Sequence, residues 1–77
     1  MEVKILAFGQ IVEIIGQSEL DLPGFYSTDE VYNRLISEYP ELAKITFAMA
    51  VNKVLINENS NLKDGDIVAL MPPFSGG

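Results

Sequence analysis

Cysteine and histidine are both absent from these 77 residues. Without cysteine there is no disulfide framework, no thiol nucleophile and no thiolate metal site. Without histidine, the commonest general base and the commonest metal ligand are missing. Positive charge is scarce: 5 Lys and Arg stand against 11 Asp and Glu, for a net charge of −6. Phosphates would be repelled by such a surface, which argues against nucleic acid as a partner and for a protein with a basic docking face. Long apolar runs are missing too. Ile5-Leu6-Ala7-Phe8 is soon interrupted by Gln10 and Glu13 and is preceded only by Lys4. That is too short and polar for a signal peptide and far short of a membrane span, so a cytoplasmic protein with no membrane partner is expected. Carboxylates such as Glu58 show no metal-ligand spacing, and Tyr26, Tyr32 and Tyr39 read as packing and surface residues. No metal site is expected.

What is present is apolar: 48% of the residues are hydrophobic, ample for the core of one domain spanning residues 1–77. A chain of this size buries only about 60% of its unfolded surface. The segment from Asp64 to Gly77 organises the rest. Asp64-Gly65-Asp66 is a turn, because Gly65 reaches φ > 0 cheaply and Asp side chains accept nearby backbone N–H groups. Ile67-Val68-Ala69-Leu70-Met71 is apolar without alternation, as expected for a strand covered on both faces. Pro72 and Pro73 stop the sheet, since neither donates an N–H, and hold the backbone extended. Residues 72–77 therefore read as a projecting arm that carries Phe74 and ends in Gly76 and Gly77.

A Gly-Gly end has a chemical reading. Lacking side chains, it can enter a channel too narrow for other residues. Its carboxylate is ionised at neutral pH and resists nucleophilic attack. Activation as an acyl-phosphate or acyl-adenylate would let Gly77 accept sulfur or an amine. The alternative is a plain frayed terminus. Two terminal glycines arise by chance in roughly half a per cent of chains at a Gly usage of about 7%.

Taken in order, Glu2 to Phe8 is a strand with Val3, Ile5 and Ala7 on one face and Leu6 and Phe8 on the other. Phe8, Ile11, Val12 and Ile15 have helical spacing, which predicts a short helix between Gly9 and Gly16. Ser18 to Leu22 alternates as an exposed strand closed by Pro23-Gly24. Ser27, with Glu30 three residues on, opens a longer helix carrying Val31, Leu35 and Tyr39 on one stripe, and Pro40 ends it. Glu41 to Lys44 is a further turn. Thr46 to Asn52 is a strand with Phe47, Met49 and Val51 facing one way, and Lys53 to Ile56 is a short second one. Leu62 plugs into the core after a polar loop.

The first and last strands carry apolar residues on both faces, so they should be central, adjacent and parallel, with the long helix over the sheet. The fold class is α+β, a roll of the β-grasp type with a mixed sheet packed against one main helix.

Three groups of residues carry a family resemblance: Ala50-Val51-Asn52, the stretch Leu62-Lys63-Asp64-Gly65-Asp66-Ile67-Val68-Ala69, and the terminal Pro72-Pro73-Phe74-Ser75-Gly76-Gly77. With Phe8, Gln10 and Glu13-Ile14-Ile15-Gly16, they resemble the small subunit of molybdopterin synthase over nearly the whole chain. The resemblance implies a ubiquitin-like β-grasp fold and a sulfur carrier that binds no cofactor itself. It implies two partners: a ubiquitin-activating-type adenylating enzyme that uses ATP and Mg, and the large subunit of the synthase. The end matching Gly77 would be adenylated, converted to a thiocarboxylate, and would donate its sulfur to a pyranopterin precursor. The tail entering the partner would be Phe74, Ser75 and Gly76, with Met71, Pro72 and Pro73 docking. The chain departs from the family at two places: Val12 where Arg is common, and Phe74 where Val is commoner. Met49, Leu70 and Met71 together could form an exposed apolar docking patch, with Met49 favoured as a core residue and Met71 evenly balanced between the two. A carrier for thiamine or tRNA thiolation, a protein modifier of the ubiquitin kind, and an interaction module with an inert tail are the alternatives.

Overall fold

The computed structural model describes residues 2–24 and 27–72. Five strands form one mixed sheet: β1 (Glu2–Ala7), β2 (Glu19–Pro23), β3 (Ala48–Val51), β4 (Val54–Ile56) and β5 (Ile67–Met71). Their order across the sheet is β2-β1-β5-β3-β4. Strands β1 and β5 pair in parallel, with Lys4 opposite Ile67 and Ala7 opposite Leu70. All other pairings are antiparallel. First and last strands are thus adjacent, parallel and flanked on both sides, as their composition predicts.

The alternation along β1 and β5 sends Val3, Ile5, Ala7, Val68 and Leu70 to one face, where all are buried. Helix α1 (Gln10–Ile15) and helix α2 (Thr28–Glu38) supply Ile11, Ile15, Val31 and Leu35 to the same core. A 3-10 turn over Pro40–Lys44 adds Leu42, and the loop before β5 adds Leu62. Each fully buried Leu, Ile or Val contributes about 1.5–3 kcal/mol relative to exposure. Val12 also packs partly against this core.

Local signals set the boundaries. Ser27 caps α2, its Oγ accepting from the Glu30 N–H at 3.3 Å. Asn59, on the loop after β4, adds a second cap by accepting from the Asp29 N–H at 2.9 Å. The helix ends before Pro40, at Tyr39. Strand β3 is shorter than its apolar pattern, because Thr46 and Phe47 lie outside it. Phe47 still joins the margin of the core, its ring 5.7 Å from that of Tyr32.

The motif residues before β5 are bound to each other. Gly65, at φ 86°, donates to the Glu2 carbonyl at 2.8 Å, and Asp64 Oδ1 accepts from the Glu2 N–H at 2.8 Å. Asn52 turns the β3–β4 hairpin at φ 49°. Its Nδ2 donates to Asp66 Oδ1, and its Oδ1 accepts from the Ile67 N–H, both at 3.0 Å. Asp66 Oδ2 accepts from the Lys63 N–H at 2.8 Å. The hydrogen bond from Asn52, and then that from Lys63, hold the Asp66 carboxyl below its ordinary pKa.

A carboxylate whose pKa is lower in the folded than in the unfolded chain stabilises the fold above its unfolded value, and that stability is lost as pH falls through the folded one. Unfolding free energy measured in urea should therefore drop more steeply below about pH 4 for the wild type than for Asp66→Asn, with a constant offset above about pH 5. Equal slopes in acid would show that the Asn52–Asp66 link does not anchor β5.

Candidate functional site

The five-strand sheet is wider than its one main helix, and the helices and the 3-10 turn all lie on a single face. Among the described residues, no helix covers the opposite face. This corrects the expectation that β5 is covered on both sides: Val68 and Leu70 are buried, but Ile67 is 38% exposed. The same holds for β1, where Phe8, just past its end, is 47% exposed.

The register builds the shape of the open face. Leu6 stands opposite Ala69, Ala69 opposite Ala50, and Ala50 opposite Leu55. Such cross-strand neighbours lie about 5 Å apart on one side of the sheet. The row therefore runs large, small, small, large, and the two alanines, ending at Cβ, leave a hollow. Phe8, Ile67 and Met71 enlarge it to about 530 Å³, with Asn52 and Lys53 at one margin. Leu55, 61% exposed on the edge strand, forms one wall.

The rim is polar. Lys4 Nζ pairs with Glu19 Oε1 at 3.1 Å, beside Leu6. Glu19, and behind it Asp21, hold the Lys4 ammonium above its ordinary pKa. An apolar centre ringed by charge is the usual anatomy of a protein interface. It offers no nucleophile and no general base, and among the described residues no group of His, Cys, Asp or Glu could hold a metal ion. What it can do is bind.

The docking candidates divide. Met71 is half-buried and lines the hollow, as a docking residue should. Pro72 is exposed at the foot of the arm. Leu70 does not belong to the surface: it is fully buried, because the β5 alternation turns it towards the helices. Met49 packs against the core for the same reason. Pro73, Phe74, Ser75, Gly76 and Gly77 lie outside the described residues. Sequence reasoning missed Leu6, Phe8, Leu55, Ile67 and Ala69. The available signal was arithmetic, since one 11-residue helix cannot cover two faces of a sheet.

Among the described residues no helix is long and apolar enough to cross a membrane. Comparison with known proteins bears on the fold and the family. The chain is 32% identical to the molybdopterin synthase sulfur carrier subunit of Chlamydomonas reinhardtii, over 100% of both chains. It superposes on the small archaeal modifier protein 1 of Methanosarcina acetivorans with a TM-score of 0.84 at 28% identity, covering 99% of this chain and 96% of that one. A protein–protein complex of subunits 1 and 2 of the molybdopterin-converting factor from Helicobacter pylori contains a chain matched at TM-score 0.74 and 30% identity, over 100% of each. The mixed sheet with its parallel β1 and β5 is the ubiquitin-like β-grasp that these neighbours share. The ThiS family matches residues 5–77, which takes in the second half of β1, all of β5, the hollow and the terminal glycines, and the chain belongs to that family.

Proposed function

We propose that this chain is the sulfur carrier subunit of a molybdopterin synthase. One observation carries the reading: β5 forms the floor of the open apolar face and runs without a break into Pro72, the head of the Gly-Gly arm. A partner that covers the face therefore receives the arm as well. The carrier relatives, full-length matches to this chain, point the same way.

Two partners use this surface in turn. An adenylating enzyme of the ubiquitin-activating kind docks on the hollow and takes in Phe74, Ser75, Gly76 and Gly77. A Gly77 carboxylate oxygen attacks the α-phosphorus of ATP held with Mg on that enzyme, and pyrophosphate leaves. Hydrosulfide-level sulfur then attacks the Gly77 acyl carbon, AMP leaves with the C–O bond electrons, and the end becomes a thiocarboxylate. The large subunit of the synthase next docks on the same face, and the thiocarboxylate gives its sulfur to the pyranopterin precursor. The carrier binds no cofactor of its own. Its contribution is delivery, with Met71, Pro72 and Pro73 at the docking margin and Phe74 as an anchor, since buried aromatics dominate interface energetics.

The likeness to a small archaeal modifier protein favours a second reading, in which the activated Gly77 is passed to lysine amines. Both readings share the adenylate. They part at the product: intact mass spectrometry of protein from its native host reads one oxygen exchanged for sulfur in the first, and isopeptide-linked adducts in the second.

Two outcomes test the carrier reading. Leu55→Asp puts a charge on an exposed wall of the hollow and should weaken binding to the adenylating enzyme by more than about 1 kcal/mol, the level that separates anchors from neutral contacts. Calorimetry giving wild-type affinity would remove the open face from the site. Appending one residue after Gly77, or deleting Gly77, displaces the carboxylate by about 3.5 Å of extended chain. Misplacement by as little as about 1 Å can cost a hundredfold. ATP–pyrophosphate exchange should be abolished in both, with melting temperature unchanged. Exchange that survives the extension would sink the assignment of Gly77.

A further inference from the structure

Gly9 stands at the corner where β1 gives way to α1, directly beside the point where β5 gives way to the arm. Two links tie these corners together. The Phe8 N–H donates to the Leu70 carbonyl at 3.1 Å, which extends the β1–β5 ladder to the last full residue pair. One step further, Pro72 has no N–H to continue the ladder, and packing takes over. A methyl group on Gly9 would stand 2.6 Å from Pro72 Cγ, 3.5 Å from Cδ and 3.8 Å from Cβ. The pyrrolidine ring is closed on its own backbone, so Cγ cannot swing clear as the end of a flexible side chain would. Gly9 also sits at φ 61° and ψ −139°, a conformation in which an L side chain is strained. Among the described glycines it is the one whose missing Cβ is filled by a neighbour: at Gly16, Gly24 and Gly65 a methyl would meet nothing within 4 Å.

We infer that Gly9 is a positioning residue for the terminal carboxylate: the Pro72 ring seats in the space left by its absent side chain, and this seat sets the direction in which the arm leaves the sheet. The inference rests on the carrier reading of Gly77. Pro72 is the first residue past β5, and five more follow it to the reacting end. The direction of the backbone at Pro72 is the last one the sheet fixes before that end. The docking hollow is lined by Phe8 and Met71, the chain neighbours of Gly9 and Pro72, but not by the two residues of the seat themselves. Aim and grip are therefore separable.

The separation supplies the test. Steady-state ATP–pyrophosphate exchange is measured with the cognate adenylating enzyme and wild-type carrier, Gly9→Ala, Pro72→Ala and the double variant. Gly9→Ala should lower kcat at least tenfold while KM for the carrier stays within about twofold, because misdirection costs rate and docking is preserved. Pro72→Ala removes Cγ and Cδ, leaving the 3.8 Å Cβ contact. Residue 72 still precedes Pro73 and so stays extended, and kcat should fall only a few-fold. The double variant should be faster than Gly9→Ala, since the clash is gone and only the backbone strain at residue 9 remains. A double variant no faster than Gly9→Ala, or no better folded than it where Gly9→Ala fails to fold, overturns the inference. Gly9→Ala that folds and keeps wild-type kcat overturns it equally. Nuclear Overhauser contacts between the Gly9 Hα and Pro72 ring protons should be seen in the free wild-type protein, and their absence also overturns it. Failure of the wild type itself to support exchange, with those contacts present, would count against the carrier reading and not against the seat.

Discussion

The parallel pairing of β1 with β5 is the constraint from which the rest of the molecule follows. It joins the two ends of the chain at the centre of the sheet, Lys4 against Ile67 through Ala7 against Leu70. Parallel neighbours cannot be joined by a tight turn, so everything between them must leave and come back. Residues between β1 and β5 accordingly fold as two excursions. One adds β2 beside β1, and the other adds β3 and β4 beside β5. The helix between the excursions has one place to go, the face where Val3, Ile5, Val68 and Leu70 already point. The Asp64–Asp66 turn closes the arrangement by bonding back to Glu2, the first residue of the first strand.

Much of this was legible in the sequence, and for physical reasons. A Pro after Tyr39, a Ser before Thr28 and an apolar run before Pro72 each act over a few residues, so each can be read locally. The adjacency of β1 and β5 could be argued because the first and last strands both carry apolar residues on their two faces. The same argument overreached on coverage. Apolar composition marks a strand as central in the plane of its sheet, or as facing something on its second side, but it does not say whether that something is the chain's own helix or another protein. For Leu6, Ala69 and Leu55 no element of the described chain covers them. Leu70 and Met71, adjacent in sequence, go to opposite faces, and a patch drawn as a contiguous stretch had to include one of them wrongly.

The Asn52 link was out of reach for a different reason. Asn52 belongs to one of the stretches that carry the resemblance, yet its partners, Asp66 and Ile67, lie at the entry to another strand. Only the hairpin, which places Asn52 at φ 49° beside the entry to β5, turns it into a partner for Asp66 and Ile67. The Asn59 cap on α2 is of the same kind, a polar loop residue whose use depends on where the loop is tied. Distant polar pairs of this sort organise the end of the sheet opposite the arm.

Because β1 begins at the start of the chain and β5 ends near its finish, and the two run in the same direction, the termini leave from opposite ends of one ladder. Tension applied between them loads that ladder in shear. Its hydrogen bonds must then yield together, not one after another as in a peeled hairpin. A pull on the end of β5 directed away from Glu2 therefore runs lengthwise along the β1–β5 seam, the geometry in which a ladder resists being unravelled.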